Sequence, residues 1–217
     1  LHGLEGLGRL RLSSVEPTDV TDELIDAISR LPRVAKHLHI PLQSGDDYIL
    51  ALMNRGYTSR FYEDLIEQIR ARIPEIGITT DIMVGFPQET EERFENTLAL
   101  MRKAGFSRVH VFKYSKRPGT RAAELPGHVD PAIKEARSKA ARSLGRELSL
   151  AFHKGLLGKE VEVLFEEVSS TPRGVSGLTS NYVRVFAKGD GHLVGAFRSV
   201  VIEEAAPGYV TGRIRRG

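Results

Sequence analysis

The chain has 217 residues, with 31 Lys and Arg against 28 Asp and Glu, and a pI near 9.2. The hydrophobic share of 41% and the charged share of 27% are typical of a folded globular protein. No run of about 18 apolar residues predicts a membrane span, and a cytoplasmic protein without membrane contact is expected. The chain contains no cysteine, which excludes disulfides and thiolate-ligated clusters within these residues.

Strand-like and helix-like segments alternate over the first 115 residues. Strands are predicted at 10–14, 37–42, 76–84 and 107–114. Thr21, Thr58 and Thr90 are placed to cap helices, and Gly105 is placed to end one. Such repeated units predict a parallel sheet, either open or curved into an arc of a (β/α) barrel. Functional groups should then gather at the carboxyl ends of the strands.

The second part of the chain has a different pattern. Residues 116–129 are rich in Pro and Gly, and Asp130-Pro131 is a typical helix start. An apolar stripe from Ile133 to Phe152 predicts the packed face of that helix. Short β-rich runs separated by Gly, Asp and Ser follow from Lys159, which predicts a small antiparallel barrel or sandwich. We therefore divide the chain into 1–129, a linking helix at 130–155, and 156–217.

Five segments carry a resemblance to a known family. They read RLSSVEP at 11–17, HLHIPLQSG at 37–45, TDIMVGFPQET at 80–90, VFKYSKRPGT at 111–120 and TSNYVRV at 179–185. In this order they resemble strands three to six of the barrel of radical S-adenosylmethionine tRNA methylthiotransferases, followed by a TRAM domain. The implied fold is α/β, a partial (β/α) TIM-like barrel with a small all-β barrel after it.

The resemblance also implies an activity. Two of the segments, HLHIPLQSG and YSKRPGT, look closest to the subgroup that adds a methylthio group to C2 of N6-threonylcarbamoyladenosine beside the anticodon. The alternatives are the sibling that acts on isopentenyladenosine, the sibling that acts on a ribosomal-protein aspartate, and a non-catalytic RNA-binding module. The sequence contains no Walker-type phosphate loop, nucleophile elbow or nicotinamide fingerprint, so it gives no support to an unrelated enzyme.

The family uses S-adenosylmethionine and two 4Fe-4S clusters, whose cysteines lie in segments that this chain lacks. A fragment that is inactive alone is therefore expected, with the N-terminal part of the same protein, or a second copy of the chain, covering an exposed apolar inner wall. The cofactor-binding residues implied by the strand ends are Ser13, Ser14, His39, Gln43, Asp81, Gly85, Phe86, Tyr114 and Ser115. The family most often has glycine where this chain has Gln88.

Basic and aromatic residues predict a surface for the tRNA anticodon stem-loop, because cations meet phosphates and rings stack on splayed bases. The candidates are Lys113, Lys116, Arg117, Arg121, Arg173, Tyr182, Arg184, Lys188, Arg198 and Arg213. A solvated face is the alternative, because glutamates lie nearby in the sequence.

Two other patterns favour structural roles. His37 and His39 share one face of a strand, but the sequence indicates no third ligand near them, so no metal site is predicted. The acidic run around Glu89 resembles a capped helix start more than a pair of catalytic carboxylates.

Overall fold

The computed structural model describes residues 3–170 and 173–215. The helices are α1 (Asp22–Arg30), α2 (Asp47–Leu52), α3 (Ser59–Arg72), α4 (Glu91–Ala104), α5 (Arg121–Glu124) and α6 (Pro131–Lys154). The strands are β1 (His37–His39), β2 (Gly77–Val84), β3 (Arg108–Lys113), β4 (Glu160–Ser170), β5 (Arg173–Thr179), β6 (Arg184–Ala187), β7 (Phe197–Ala206) and β8 (Tyr209–Ile214). No helix within the described ranges is long and apolar enough to cross a membrane.

The first three strands form a parallel sheet in the order β1-β2-β3. The strand predicted at 10–14 is present only as two isolated parallel bridges, Leu10 to Val34 and Ser14 to His39. This irregular segment lies beside β1, so the sheet has the order expected for an arc of a (β/α) barrel. A continuous core of Leu38, Ile78, Ile82 and their neighbours fills the space between sheet and helices.

Helix boundaries follow the capping residues. The side-chain oxygens of Thr21, Thr58 and Thr90 accept backbone N–H groups at the starts of α1, α3 and α4. Gly105 ends α4 with a φ of 58°, a left-handed conformation that glycine adopts without strain. In α3, Phe61 is 43% exposed, and the adjacent Tyr62 is fully buried instead.

Helix α6 packs against the sheet through only part of the predicted apolar stripe. Ile133 is 45% exposed, while Ala141, Leu144 and Gly145 are buried. A Cβ at Gly145 would lie 3.2 Å from Cβ of Val109, so the small residue allows the helix to approach β3 closely. The apolar stripe from Ile133 to Phe152 therefore indicates the packed face only in its second half.

Strands β4 to β8 close into a five-stranded barrel in the order β4-β5-β6-β8-β7. The pairs are antiparallel except β6 with β8, which is parallel. Val163, Phe165, Val185, Val200 and Val210 fill its centre and are all fully buried. The predicted α/β fold with a small all-β barrel is confirmed.

The barrel docks against the beginnings of the sheet strands. The backbone oxygen of Asn181 would lie only 2.1 Å from a Cβ at Gly77, and the Asn181 amide donates to the carbonyl of Glu75 at 3.2 Å. Arg9 donates to the carbonyl of Leu178 at 2.8 Å. The amino-terminal edge of the sheet is thus covered, whereas the carboxyl ends of its strands point away from the barrel.

Candidate functional site

The face of the sheet opposite the helices is lined mainly by polar side chains. Alternation along the strands puts His39, Asp81 and His110 on this face, whereas Leu38, Ile82 and Val109 pack toward the helices. Met83 and the 51% exposed Phe112 are its apolar members. The prediction of an apolar inner wall is therefore wrong. This face is instead suited to hydrogen bonding or ion binding.

Three ionisable groups converge at the middle of this face. Asp81 lies between the two imidazoles, with Oδ2 3.4 Å from Nε2 of His39 and Oδ1 3.3 Å from Nδ1 of His110. All three are half-buried. Burial lowers the pKa of His110, and nearby Arg108 adds to this effect while Asp81 opposes it. The prediction that His39 has no third ligand nearby is wrong, because β2 and β3 each bring one to it.

A second layer lies closer to the β-barrel. The Thr79 hydroxyl contacts Nε2 of His37 at 3.1 Å and Nδ1 of His39 at 2.9 Å. The His37 ring stacks on Tyr182 at 4.5 Å between centroids, and the guanidinium of Arg11 lies 4.6 Å from the same tyrosine ring. Burial, with Arg11 and His39 adding to it, lowers the pKa of His37 to about 3.

Tyr182, a predicted RNA-binding residue, belongs to this layer. Its ring contacts His37 and Arg11 at the junction of the two domains, and its contact with RNA stays a prediction. Its φ of 68° places the backbone in the left-handed region, which a non-glycine residue seldom adopts without support from its surroundings. The tyrosine therefore joins the sheet to the barrel.

The predicted cofactor-binding residues fall into two groups. Ser13, Ser14 and Ser115 are exposed near the carboxyl ends of the strands, and Gln43 is half-buried beside them. Gln43 extends the sheet with a φ of 65°, donating its N–H to the carbonyl of Asp81 at 2.8 Å. Together with His39 and Asp81, these groups can contact a ligand on this face.

Gly85, Phe86 and Tyr114 form the second group, and they do not line an open face. Phe86 and Tyr114 are 4% and 8% exposed and pack edge to face at 5.2 Å, in a small cluster with Ile49. The position of a Cβ on Gly85 would be 2.3 Å from Cγ of Lys134, so α6 covers this glycine. These are packing contacts, and direct contact of the three residues with the cofactor stays a prediction.

The turn after β2 is fixed by its own contacts. Gln88 takes a φ of 67°, so it adopts the conformation that glycine favours, and its side chain accepts from the Tyr48 hydroxyl at 2.6 Å. Glu89 is buried, accepts from the Gly85 N–H at 2.8 Å and pairs with Arg137 of α6 at 2.8 Å. This arrangement supports the helix-start interpretation of the acidic run.

The predicted RNA-binding cations differ in whether they form ion pairs with acidic side chains. Lys113 pairs with Glu135, Arg184 with Glu166 and Glu167, and Arg213 with Glu203. Within residues 3–170 and 173–215, no ion pair involves four exposed candidates: Lys116, Arg117, Arg121 and Lys188. Arg198 is exposed and donates to the carbonyl of Phe197, and the side chain of Arg173 lies outside the described residues.

A groove of about 1280 Å³ on the β-barrel brings several of these features together. Phe186, Lys188 and Arg213 line it, joined by His192 and Thr211. The Phe186 ring packs edge to face against the 39% exposed Tyr209 at 5.3 Å. Two further members were not predicted from the sequence: His192, which lies in a short turn four residues after Lys188, and Tyr209, which β8 brings to Phe186.

Comparison with known proteins matches both parts of the chain. The Radical SAM superfamily matches residues 6–101, and the TRAM domain matches residues 154–214. The chain therefore contains a radical SAM segment followed by a TRAM domain. The solved structure of the radical SAM enzyme coproporphyrinogen III oxidase from Escherichia coli has a TM-score of 0.54 at 20% identity, over 64% of this chain and 32% of that one, and supports the fold alone.

Curated relatives align along nearly the whole chain. The tRNA-2-methylthio-N(6)-dimethylallyladenosine synthases of Moorella thermoacetica, Thermoanaerobacter pseudethanolicus and Nocardia farcinica are 42%, 43% and 40% identical over 100%, 99% and 96% of this chain. These alignments cover 49%, 46% and 43% of the relatives, so the chain spans about half their length. The names of these relatives differ from the predicted threonylcarbamoyladenosine subgroup, so the alignments contradict that part of the prediction.

Proposed function

We propose that this chain is part of a radical S-adenosylmethionine enzyme that forms 2-methylthio-N6-dimethylallyladenosine in tRNA. The observation that carries the proposal is the alignment of nearly all 217 residues with synthases of that name, at 42% identity for the first relative given above. The order of a radical SAM segment and a TRAM domain supports it independently.

The chain cannot by itself hold the clusters of such an enzyme, because it has no cysteine thiolate to ligate iron. The whole protein would supply those ligands from other segments. S-adenosylmethionine, when bound to the complete enzyme, supplies the methyl group and the 5′-deoxyadenosyl radical. We propose that Ser13, Ser14, Gln43 and Ser115 form one wall of its pocket, with His39 and Asp81 deeper on the same face.

The tRNA would bind along the exposed cations. Lys116, Arg117 and Arg121 follow the carboxyl end of β3, next to the proposed pocket, and Lys188 lies in the groove of the β-barrel. Phe186 and Tyr209 offer rings near Lys188 on which an unpaired base could stack. Cations without acidic partners are favoured for this role, because they need not lose an ion pair when they meet a phosphate.

Nucleoside mass spectrometry tests the activity. In a strain whose gene for the whole protein is deleted, tRNA should lack 2-methylthio-N6-dimethylallyladenosine and accumulate N6-dimethylallyladenosine. The gene carried on a plasmid should restore the methylthio group. Unchanged nucleosides would remove the proposal, and loss of a methylthio group from a different adenosine would assign the protein to a sibling reaction.

Binding of tRNA tests the proposed surface. In the whole protein, changing Lys116, Arg117 and Arg121 to Ala should weaken binding and lower the slope of log K against log salt by about 2 to 3, near one counterion per lost contact. Arg184→Ala is the matched control, because Arg184 already pairs with glutamates. Equal effects of the triple variant and the control would contradict the assignment of this surface.

A further inference from the structure

The convergence of His39, Asp81 and His110 is not explained by the proposed function alone. One ligand comes from each of three adjacent segments, β1, β2 and β3. One nitrogen or oxygen atom of each residue lies within 4.8 Å of the others. The sequence separations are 42 and 29 residues, so only the parallel register of the sheet brings these groups together.

The distances agree with a shared cation. In a tetrahedral site with metal–ligand bonds of about 2.05 Å, neighbouring ligand atoms are roughly 3.3 Å apart. The two contacts of Asp81 have this length but use different oxygens, Oδ2 at 3.4 Å from Nε2 of His39 and Oδ1 at 3.3 Å from Nδ1 of His110. The carboxylate would therefore bind the ion through both oxygens. Two imidazoles and one carboxylate form a donor set that zinc and other divalent transition metals bind.

The surroundings hold the first ligand in position. Nδ1 of His39 contacts the Thr79 hydroxyl at 2.9 Å, which leaves Nε2 directed at Asp81. Thr79 is 3% exposed and also contacts His37, whose ring stacks on Tyr182 of the barrel. Such a partner on the second nitrogen fixes ring orientation and tautomer in metal-binding histidines. The side chains of His39, Asp81 and His110 are 18%, 25% and 42% exposed, so solvent reaches the trio.

We propose that His39, Asp81 and His110 bind one divalent transition-metal ion, of which zinc is the first candidate. The three residues leave at least one coordination position of the ion open. The three protein ligands fill one side of the ion, and a water or an oxygen or nitrogen atom of a ligand completes it. Thr79 is a positioning residue that acts through His39. In this arrangement His39 and Asp81 contact the ion, so the wall offered to S-adenosylmethionine consists of the serines and Gln43.

Titration of the purified 217-residue chain with Zn²⁺, followed by calorimetry, tests the site. One ion per chain should bind, and Co²⁺ should give visible absorption bands of a nitrogen and oxygen site that Zn²⁺ removes. His110→Ala should weaken Zn²⁺ binding by roughly a hundredfold or more, and Thr79→Val by about 10- to 100-fold. Thr79→Ser, which keeps the hydroxyl, should retain most of the affinity.

His192→Ala is the matched control, because His192 also lies beside an aspartate, Asp190, but is exposed on the β-barrel. Its Zn²⁺ affinity should equal that of the unchanged chain. Absence of stoichiometric binding, or loss of binding in His192→Ala but not in His110→Ala, would overturn the proposal. If His110→Ala does not fold, the difference between Thr79→Val and Thr79→Ser decides. A negative result leaves the proposed tRNA modification untouched, because that proposal is tested by nucleoside mass spectrometry and does not require Zn²⁺ binding.

Discussion

Removing the cation of the buried ion pair between Arg137 and Glu89 should destabilise this protein more than removing the cation of an exposed pair. The two side chains are 7% and 1% exposed, and Nη1 of Arg137 lies 2.8 Å from both the carboxylate and the carbonyl of Glu89. Arg137→Met removes these donors and leaves a buried carboxylate without its cation. Breaking a buried pair in this way costs about 3–5 kcal/mol of unfolding free energy.

The pH dependence of this loss identifies its cause. Burial raises the pKa of Glu89, while the Gly85 N–H and Arg137 oppose that rise. Without Arg137 the pKa should rise further, so the folded variant favours the protonated carboxyl. A carboxyl whose pKa is raised by folding contributes stability that is fully present below its pKa in the unfolded chain, 4.5 for Glu89. That stability is lost as the pH rises through its pKa in the folded protein. The loss caused by Arg137→Met should therefore be smaller at pH 5 than at pH 8.

Urea denaturation at the two pH values, followed by circular dichroism, measures the effect. Arg213→Met is the control, because Arg213 pairs with Glu203 at 3.3 Å where the side chains are 68% and 52% exposed. Such a pair contributes about 0–1 kcal/mol. The reasoning is refuted if both variants lose the same stability, or if the loss in Arg137→Met grows as the pH falls.

Three further changes test other parts of the structure. The pKa of His37 is about 3 in the folded protein, so the stability that the neutral ring contributes is present above pH 6.5 and is lost as pH falls. His37→Phe should therefore flatten the fall in unfolding free energy between pH 6.5 and 4. Gly77→Ala, whose Cβ would lie 2.1 Å from the Asn181 oxygen, should destabilise the docked barrel by about 1–3 kcal/mol and speed proteolysis, whereas Gly56→Ala, with open space around it, should not. Gly85→Ala should cost a similar amount, because its φ of 73° and Lys134 both oppose a Cβ.

Local sequence determined the elements of this fold to a large extent. Thr21, Thr58 and Thr90 mark helix starts because their hydroxyls can accept N–H groups of their own first turns, a contact within three residues. Alternating strand and helix patterns predicted the parallel sheet, and short β-rich runs predicted the barrel. The class of protein could be predicted because its motifs are also local. The predicted subgroup differs from that of the aligned relatives, because the two motifs that pointed to it are only a small part of the chain.

The site depended on contacts that a one-dimensional pattern does not contain. His110 joins His39 and Asp81 only because β3 pairs with β2 in one particular register, and a shift of one residue would turn His110 toward the helices. Burial of Phe86 and Tyr114 and the stacking of Tyr182 on His37 likewise depend on how α6 and the barrel pack. Sequence by itself determined most of the helices and strands, because those choices depend mainly on near neighbours. Tertiary structure alone decided which polar groups meet, since that depends on register and docking between segments far apart in the chain.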